Sequence, residues 1–170
     1  ELGAALAEQG ITVVYGGAKV GLMGALADGV LQHKGKIIGV IPTFLKTKEV
    51  VHESLTQLIT VETMHERKVR MHELSQGVIA MPGAWGTMDE LFEMLTWSQL
   101  GLHNKPIGLL SINGYYEALK AFFDNMVAEG FLNECVNATV LYSGSIEDIL
   151  AQMKNYNAPD IPQVITTQTT

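Results

Sequence analysis

The sequence predicts an α/β protein built on an open, doubly wound parallel sheet with helices on both faces. Three observations predict it. Short apolar runs such as residues 11–15, 77–81 and 106–110 alternate with stretches of helical periodicity, the alternation that builds βαβ units. The runs are apolar at nearly every position rather than at every second one, as strands buried on both faces are. Glycine turns, Gly16-Gly17 and Pro82-Gly83, follow two of the runs and lead into helices.

The elements follow in order. Residues 1–7 (ELGAALA) read as the middle of a helix with no cap before it. With no starting Met, a segment is expected upstream. Residues 11–15 are β-branched and aromatic and form a strand. Gly16-Gly17 end it, and residues 21–34 continue as a helix. Residues 36–41 (KIIGVI) are the next strand, stopped by Pro42. Residues 43–56 are polar and irregular, a long loop of the kind that carries function. A weak strand at 58–61 and a helix at 64–76 follow. The strand at 77–81 (GVIAM) ends at Pro82-Gly83, and the helix at 87–100 is closed by Gly101. Then come a strand at 106–110 (PIGLL), a helix at 115–128, a last strand at 139–142 and a last helix at 146–153. No internal repeat or linker divides the chain. Residues 1–155 are expected to form a single domain, and residues 156–170, which hold two of the five prolines, a polar tail.

At 170 residues, a single domain of this size buries roughly 68–70% of its unfolded surface. Hydrophobic residues make up 47% and charged residues 17%, which excludes a disordered or collagen-like chain. The net charge of −7 repels phosphate backbones, so no nucleic-acid partner is expected. The single cysteine, Cys135, allows neither an internal disulfide nor a cysteine metal site. This suits a reducing compartment, and a cytoplasmic location is expected. No run of 18 apolar residues and no signal-peptide pattern occurs, so no membrane partner is expected.

In an open α/β sheet the ligand lies beyond the carboxyl ends of the strands, which directs attention to the strand-to-helix turns. The first, GGAKVGLMG (16–24), offers backbone N–H groups and glycines for close anion approach. Its spacing is not G-x-G-x-x-G, and Pro42 rather than an acid ends the next strand. A nicotinamide-dependent oxidoreductase is therefore disfavoured. No G-K-S/T occurs, so this is not a P-loop. A tight turn with close helix–sheet packing is the alternative.

The second turn, PGAWGTMDE (82–90), has the same setting. Thr87 and Glu90 have the spacing of a capping box. Glu90 beside a glycine-rich turn is alternatively a carboxylate for sugar hydroxyls or for activating water, with Asp89 its neighbour. Helical phasing puts Met88, Leu91, Phe92 and Leu95 on the core side, and Asp89 and Glu90 off it. Trp97 shares the Glu90 face, where an exposed tryptophan suggests a contact surface; ordinary partial burial by a loop is the alternative.

Arg67 and Arg70 are the only arginines. On a helix Met64, Arg67, Met71 and Leu74 form one stripe, bordered by Lys68. A guanidinium on an apolar stripe needs an anion or several acceptors, unless it snorkels to solvent; Arg70, off the stripe, reads as surface. His33, His52, His65, His72 and His103 show no paired ligand spacing, so no metal is expected. No lysine has a Schiff-base setting.

MHERK (64–68) followed by PGAWGTMDE (82–90) closely resembles the M-x-x-R-K and P-G-G-x-G-T-x-x-E pair of the LONELY GUY (LOG) family. GGAKVGLMG (16–24) looks like that family's first glycine turn, and the likeness covers most of residues 1–145. It implies a Rossmann-like homodimer, without a cofactor, that hydrolyses the N-glycosidic bond of adenosine-type nucleoside 5′-monophosphates. The substrates so implied are cytokinin riboside monophosphates and often AMP; the products are free base and ribose 5-phosphate. Some members carry the name lysine decarboxylase, which the absent Schiff-base lysine does not suit.

By position, Arg67 and Glu90 match the family's catalytic residues. Glu49, Lys68 and Thr96 match ligand-binding positions, as do Gly83, Ala84, Trp85, Gly86 and Thr87 of the second turn; Gly16 and Gly17 fall in the first. Cleavage develops an oxocarbenium-like ribose, which a carboxylate stabilises. Two departures carry consequences. Ala84 and Ala18 replace family glycines, and the Ala84 methyl weakens binding if that position needs positive φ or very close phosphate approach. The family's central first strand and its glycine–serine loop do not occur in this sequence: either they belong to the segment expected upstream, or the chain is a truncated variant, in which neighbouring strands are expected to be left unpaired. A non-catalytic nucleotide or cofactor carrier of the same fold is the alternative function.

Overall fold

The computed structural model describes residues 1–46 and 51–159. These fall into two compact units, divided between Ser75 and Gln76. The fold class is as expected: mixed α/β, with parallel strands flanked by helices. The strands form two parallel sheets of three rather than one run, in the orders β1-β2-β3 and β4-β5-β6.

The first unit comprises α1 (Leu2–Glu8), β1 (Val13–Tyr15), α2 (Gly21–Gln32), β2 (Ile37–Pro42), β3 (Gln57–Val61) and α3 (Met64–Leu74). Strand β2 is central; Val14 aligns with Ile38 on one side, and Val40 with Ile59 on the other. Its Ile37, Val40 and Ile41 are fully buried, which explains the apolar run. Pro42 is the last residue of this strand rather than its stop, aligned with Val61. A proline is tolerated at a strand end, and Thr43 N–H resumes bonding to the Val61 carbonyl at 2.8 Å. Helices α1 and α2 meet through glycine: a Cβ on Gly3 would lie 2.5 Å from the Leu26 carbonyl oxygen. Ala27 and Val30 are fully buried beside that contact.

The second unit comprises β4 (Val78–Ala80), α4 (Trp85–Gln99), β5 (Ile107–Leu110), a 3-10 turn (Ile112–Gly114), α5 (Glu117–Ala128), α6 (Glu134–Asn137), β6 (Val140–Ser143) and α7 (Ile146–Lys154). All of β5 is buried. Ile107 and Leu109 pack on Leu91 and Met94 of α4. Gly108, facing the other way, meets Ile149 and Met153 of α7. Both faces of this sheet are therefore covered by helices. Phasing on α4 differs from the expectation: Phe92, assigned to the core side, is exposed, while Met94 and Ser98 are buried with Leu91. Phe92 instead meets Phe123 edge-on at 5.8 Å. Among the described residues β1 pairs with β2 alone, and β4 with β5 alone.

Candidate active site

In the first unit the site is built from the turn after β1 and from α3. The turn is tight for definite reasons. Gly17 has φ +83 and Gly21 φ +58, both in the left-handed region that glycine enters without strain. A Cβ on Gly24 would lie 2.2 Å from the Lys19 carbonyl oxygen, so α2 starts in close contact with its own loop. Ala18 is buried and has no positive φ, so its methyl brings no backbone strain. The loop before β3 is fixed to this turn. His52 N–H donates to the Gly17 carbonyl at 3.0 Å, and its Nε2 lies 3.1 Å from Asp28.

Helix α3 is firmly started. Thr63 Oγ1 accepts from Glu66 N–H at 3.1 Å, and the Glu66 carboxylate accepts from Glu62 N–H at 2.8 Å. The first bond satisfies an amide that the helix itself leaves open, and the second ties the chain before the cap to the first turn. The predicted stripe is real: Arg67 is the one buried residue of α3, with Met64, Met71 and Leu74 partly buried beside it. A guanidinium 8% exposed therefore occupies the centre of an apolar stripe. A Cβ on Gly16 would come within 2.0 Å of Arg67 Nη2. Gly16 thus leaves the space the guanidinium fills, while Met64 Sδ lies 3.9 Å from Nη1. Lys68 is half-buried next to it. Arg70 is on the surface, paired with Glu73 at 2.9 Å.

In the second unit the turn after β4 runs from Met81 to the start of α4. Helix α4 begins at Trp85 with Ala84 as its cap residue. Thr87 is therefore already inside the helix, and the Thr87–Glu90 capping box does not form. The Thr87 hydroxyl instead packs over Gly83, where a Cβ would lie 2.1 Å from its Oγ1. Ala84 has φ −102, so the alanine that replaces the family glycine is unstrained. Among the described residues, nothing beyond the adjoining helix backbone lies within 4 Å of the place a side chain on Gly86 would take. Trp85 stands out at 89% exposed.

Two tyrosines hold the turn from behind. Tyr115 Oη donates to the Gly83 carbonyl at 2.6 Å, and Tyr116 Oη to the Met81 carbonyl at 2.5 Å. Sequence reasoning missed both; their only sign was a Tyr-Tyr pair after the strand at 107–110. Burial, with the Tyr115 ring beside it, pushes the Tyr116 phenol up to about 12. Glu90 is half-buried one turn into α4 and Asp89 is exposed. Thr96 donates to the Phe92 carbonyl at 2.7 Å. Of the two readings of Trp97, a contact surface or ordinary partial burial, the structure shows the second: it is partly buried and packs against the core of the unit.

The structure brings together Gly16 with Arg67, and Gly83 with Thr87. Arg67 belongs to the first unit and Glu90 to the second. Glu49 lies outside the described residues. His103 is buried and satisfied, its Nδ1 accepting from Lys105 N–H at 3.2 Å and its Nε2 donating to the Met94 carbonyl at 3.0 Å. Among the described residues no cluster of three or more His, Cys, Asp or Glu has metal-site geometry, and no helix is long and apolar enough to cross a membrane.

Parallel strands, glycine turns at their carboxyl ends, a buried guanidinium and a carboxylate just inside a helix define a Rossmann-like α/β protein. Residues 23–153 match the family described as "Possible lysine decarboxylase". A probable cytokinin riboside 5′-monophosphate phosphoribohydrolase of Oryza sativa subsp. japonica is 44% identical over 92% of this chain and 70% of its own. The cytokinin riboside 5′-monophosphate phosphoribohydrolase of Rhodococcoides fascians is 44% identical over 91% of this chain and 78% of its own. An Arabidopsis thaliana relative of the same name is 39% identical over 92% and 73%. The chain belongs to this family, the LONELY GUY family. Of solved structures, a molybdenum cofactor binding protein of Rippkaea orientalis superposes with TM-score 0.67 at 24% identity, over 90% of this chain and 82% of its own. A molybdenum cofactor carrier protein of Chlamydomonas reinhardtii gives 0.67 at 22%, over 91% and 82%. At these identities the likeness is one of fold.

Proposed function

We propose that this protein hydrolyses the N-glycosidic bond of adenosine-type nucleoside 5′-monophosphates, releasing free base and ribose 5-phosphate. The observation that carries the reading is the retained pair of motifs, M-x-x-R-K with its arginine buried and P-G-x-x-G-T-x-x-E opening a helix, in a chain 44% identical to a phosphoribohydrolase. Cytokinin riboside monophosphates are the first substrates to test, AMP the second.

The roles follow from chemistry. A 5′-phosphate suits the start of α4, where the first-turn amides have no intrahelical acceptor. Gly83, Ala84, Trp85, Gly86 and Thr87 supply that backbone, and Gly86 leaves its side of the turn open. Lys68, Thr96 and Glu49 are further ligand-binding candidates, and Gly16 and Gly17 contribute by shaping the first turn. As the C1′–N bond breaks, positive charge grows on the ribose ring. Glu90 stabilises that charge and takes a proton from the water whose oxygen bonds to C1′; the base leaves with the glycosidic electron pair and takes a proton from solvent, to which Glu90 then releases the one it holds. Arg67, held rigid in its stripe, is the fixed cation for an anionic group of the substrate.

Residues 1–155 are read as one Rossmann-like domain with a polar tail at 156–170. The assembly proposed is a homodimer, and the location cytoplasmic. Exposed Phe92, Leu100, Leu102 and Phe122 in the second unit supply apolar surface for such an assembly. The test is base release from AMP and from isopentenyladenosine 5′-monophosphate, with Glu90→Gln and Arg67→Lys as controls. Tight nucleotide binding without turnover would favour the carrier alternative, which at present rests on fold alone.

A further inference from the structure

We propose that Tyr115 is a positioning residue for the phosphate-binding turn, acting through a single peptide plane. The inference rests on the reading that this turn receives the 5′-phosphate. Tyr115 Oη donates to the Gly83 carbonyl at 2.6 Å. In a planar trans peptide the carbonyl of one residue and the N–H of the next point in opposite directions. Holding the Gly83 carbonyl toward Tyr115 therefore aims the Ala84 N–H away from it, at the cap position of α4. A fixed donor there serves an anion better than one that must be ordered on binding.

Tyr116 makes the sister bond to the Met81 carbonyl, but the following residue is Pro82, which has no N–H to aim. The two tyrosines thus divide the work: Tyr116, 2% exposed, anchors the strand end, and Tyr115 orients a donor. Their placement is built in. Asn113 (φ +53) and Gly114 (φ +74) reverse the chain after β5. Tyr116 N–H then donates to Ser111 Oγ at 3.0 Å, and the rings meet edge-on at 5.1 Å.

The test is Tyr115→Phe, which removes one donor and keeps the ring. Tyr115 is 52% exposed, so the variant is expected to unfold at nearly the wild-type temperature. Losing the bond should weaken inhibition by ribose 5-phosphate about 3- to 10-fold and leave inhibition by free adenine unchanged, a split that general loosening would not give. In labelled wild-type protein, the Ala84 amide resonance should shift when ribose 5-phosphate is added. Equal inhibition of variant and wild type by ribose 5-phosphate overturns the role of Tyr115 alone, as does an unmoved Ala84 resonance. Wild-type protein that ribose 5-phosphate does not inhibit overturns the phosphate-turn reading, and this inference with it.

Discussion

Gly16 and Arg67 have the sharpest dependence on each other. The guanidinium lies where a side chain at position 16 would begin, 2.0 Å from its Cβ. A methyl there cannot coexist with the present position of Arg67, and a buried cation has few places to go. Gly16→Ala is expected to cut turnover at least about tenfold, the cost of roughly 1.4 kcal/mol of lost transition-state stabilisation, while circular dichroism still shows a folded protein. Unchanged kcat/KM would show that the position of Arg67 is unimportant. Ala84 leads to the opposite expectation. With φ −102 it gains nothing from glycine's freedom, so Ala84→Gly should leave activity within about twofold, a few tenths of a kcal/mol. A large gain would mean that the alanine methyl blocks the turn.

Helix starts decide how the site elements are placed, and here the sequence was only partly legible. Strands β2 and β5 were readable because both faces of each are buried, giving unbroken apolar runs. The α3 stripe was readable because its period survives with a guanidinium in the middle. The start of α4 differs by two residues from the expectation, since Thr87 and Glu90 imitate a capping box while the helix begins at Trp85 without a side-chain cap. A side-chain cap does start α3, at Thr63, which accepts from Glu66 N–H. Thr63→Ala is expected to cost about 1 kcal/mol, read as a lower denaturant midpoint. No loss would mean that α3 is held by packing alone. The two readings of Trp97 stayed open in the sequence because periodicity shows which face a residue is on, not what packs there. The tyrosine bonds behind Gly83 were invisible because they join residues far apart in sequence, and Glu49 remains a matter of resemblance.

At the scale of the whole molecule, buried phenols set an alkaline limit. Burial, with Asp28 adding to it, raises Tyr15 to about 12, and burial with Tyr115 raises Tyr116 to about 12. An unfolded tyrosine titrates near 10. Between these values the folded chain holds protons that the unfolded chain has released, so stability is full below about pH 10 and falls as pH rises toward about 12. Chemical denaturation at a series of alkaline pH values should show that slope, shallower in Tyr116→Phe. A flat profile through this window would contradict the burial of these hydroxyls.

The central claim is glycosidic hydrolysis of a nucleoside 5′-monophosphate by Arg67 and Glu90. Chromatography of purified protein with isopentenyladenosine 5′-monophosphate and AMP, with the matching nucleosides and Glu90→Gln alongside, tests it most directly. The account predicts free base from at least one monophosphate, none from the nucleosides, and at least a hundredfold loss in the variant, of the order expected when an acid–base group is removed. Folded wild-type protein that binds these nucleotides and releases no base would contradict it.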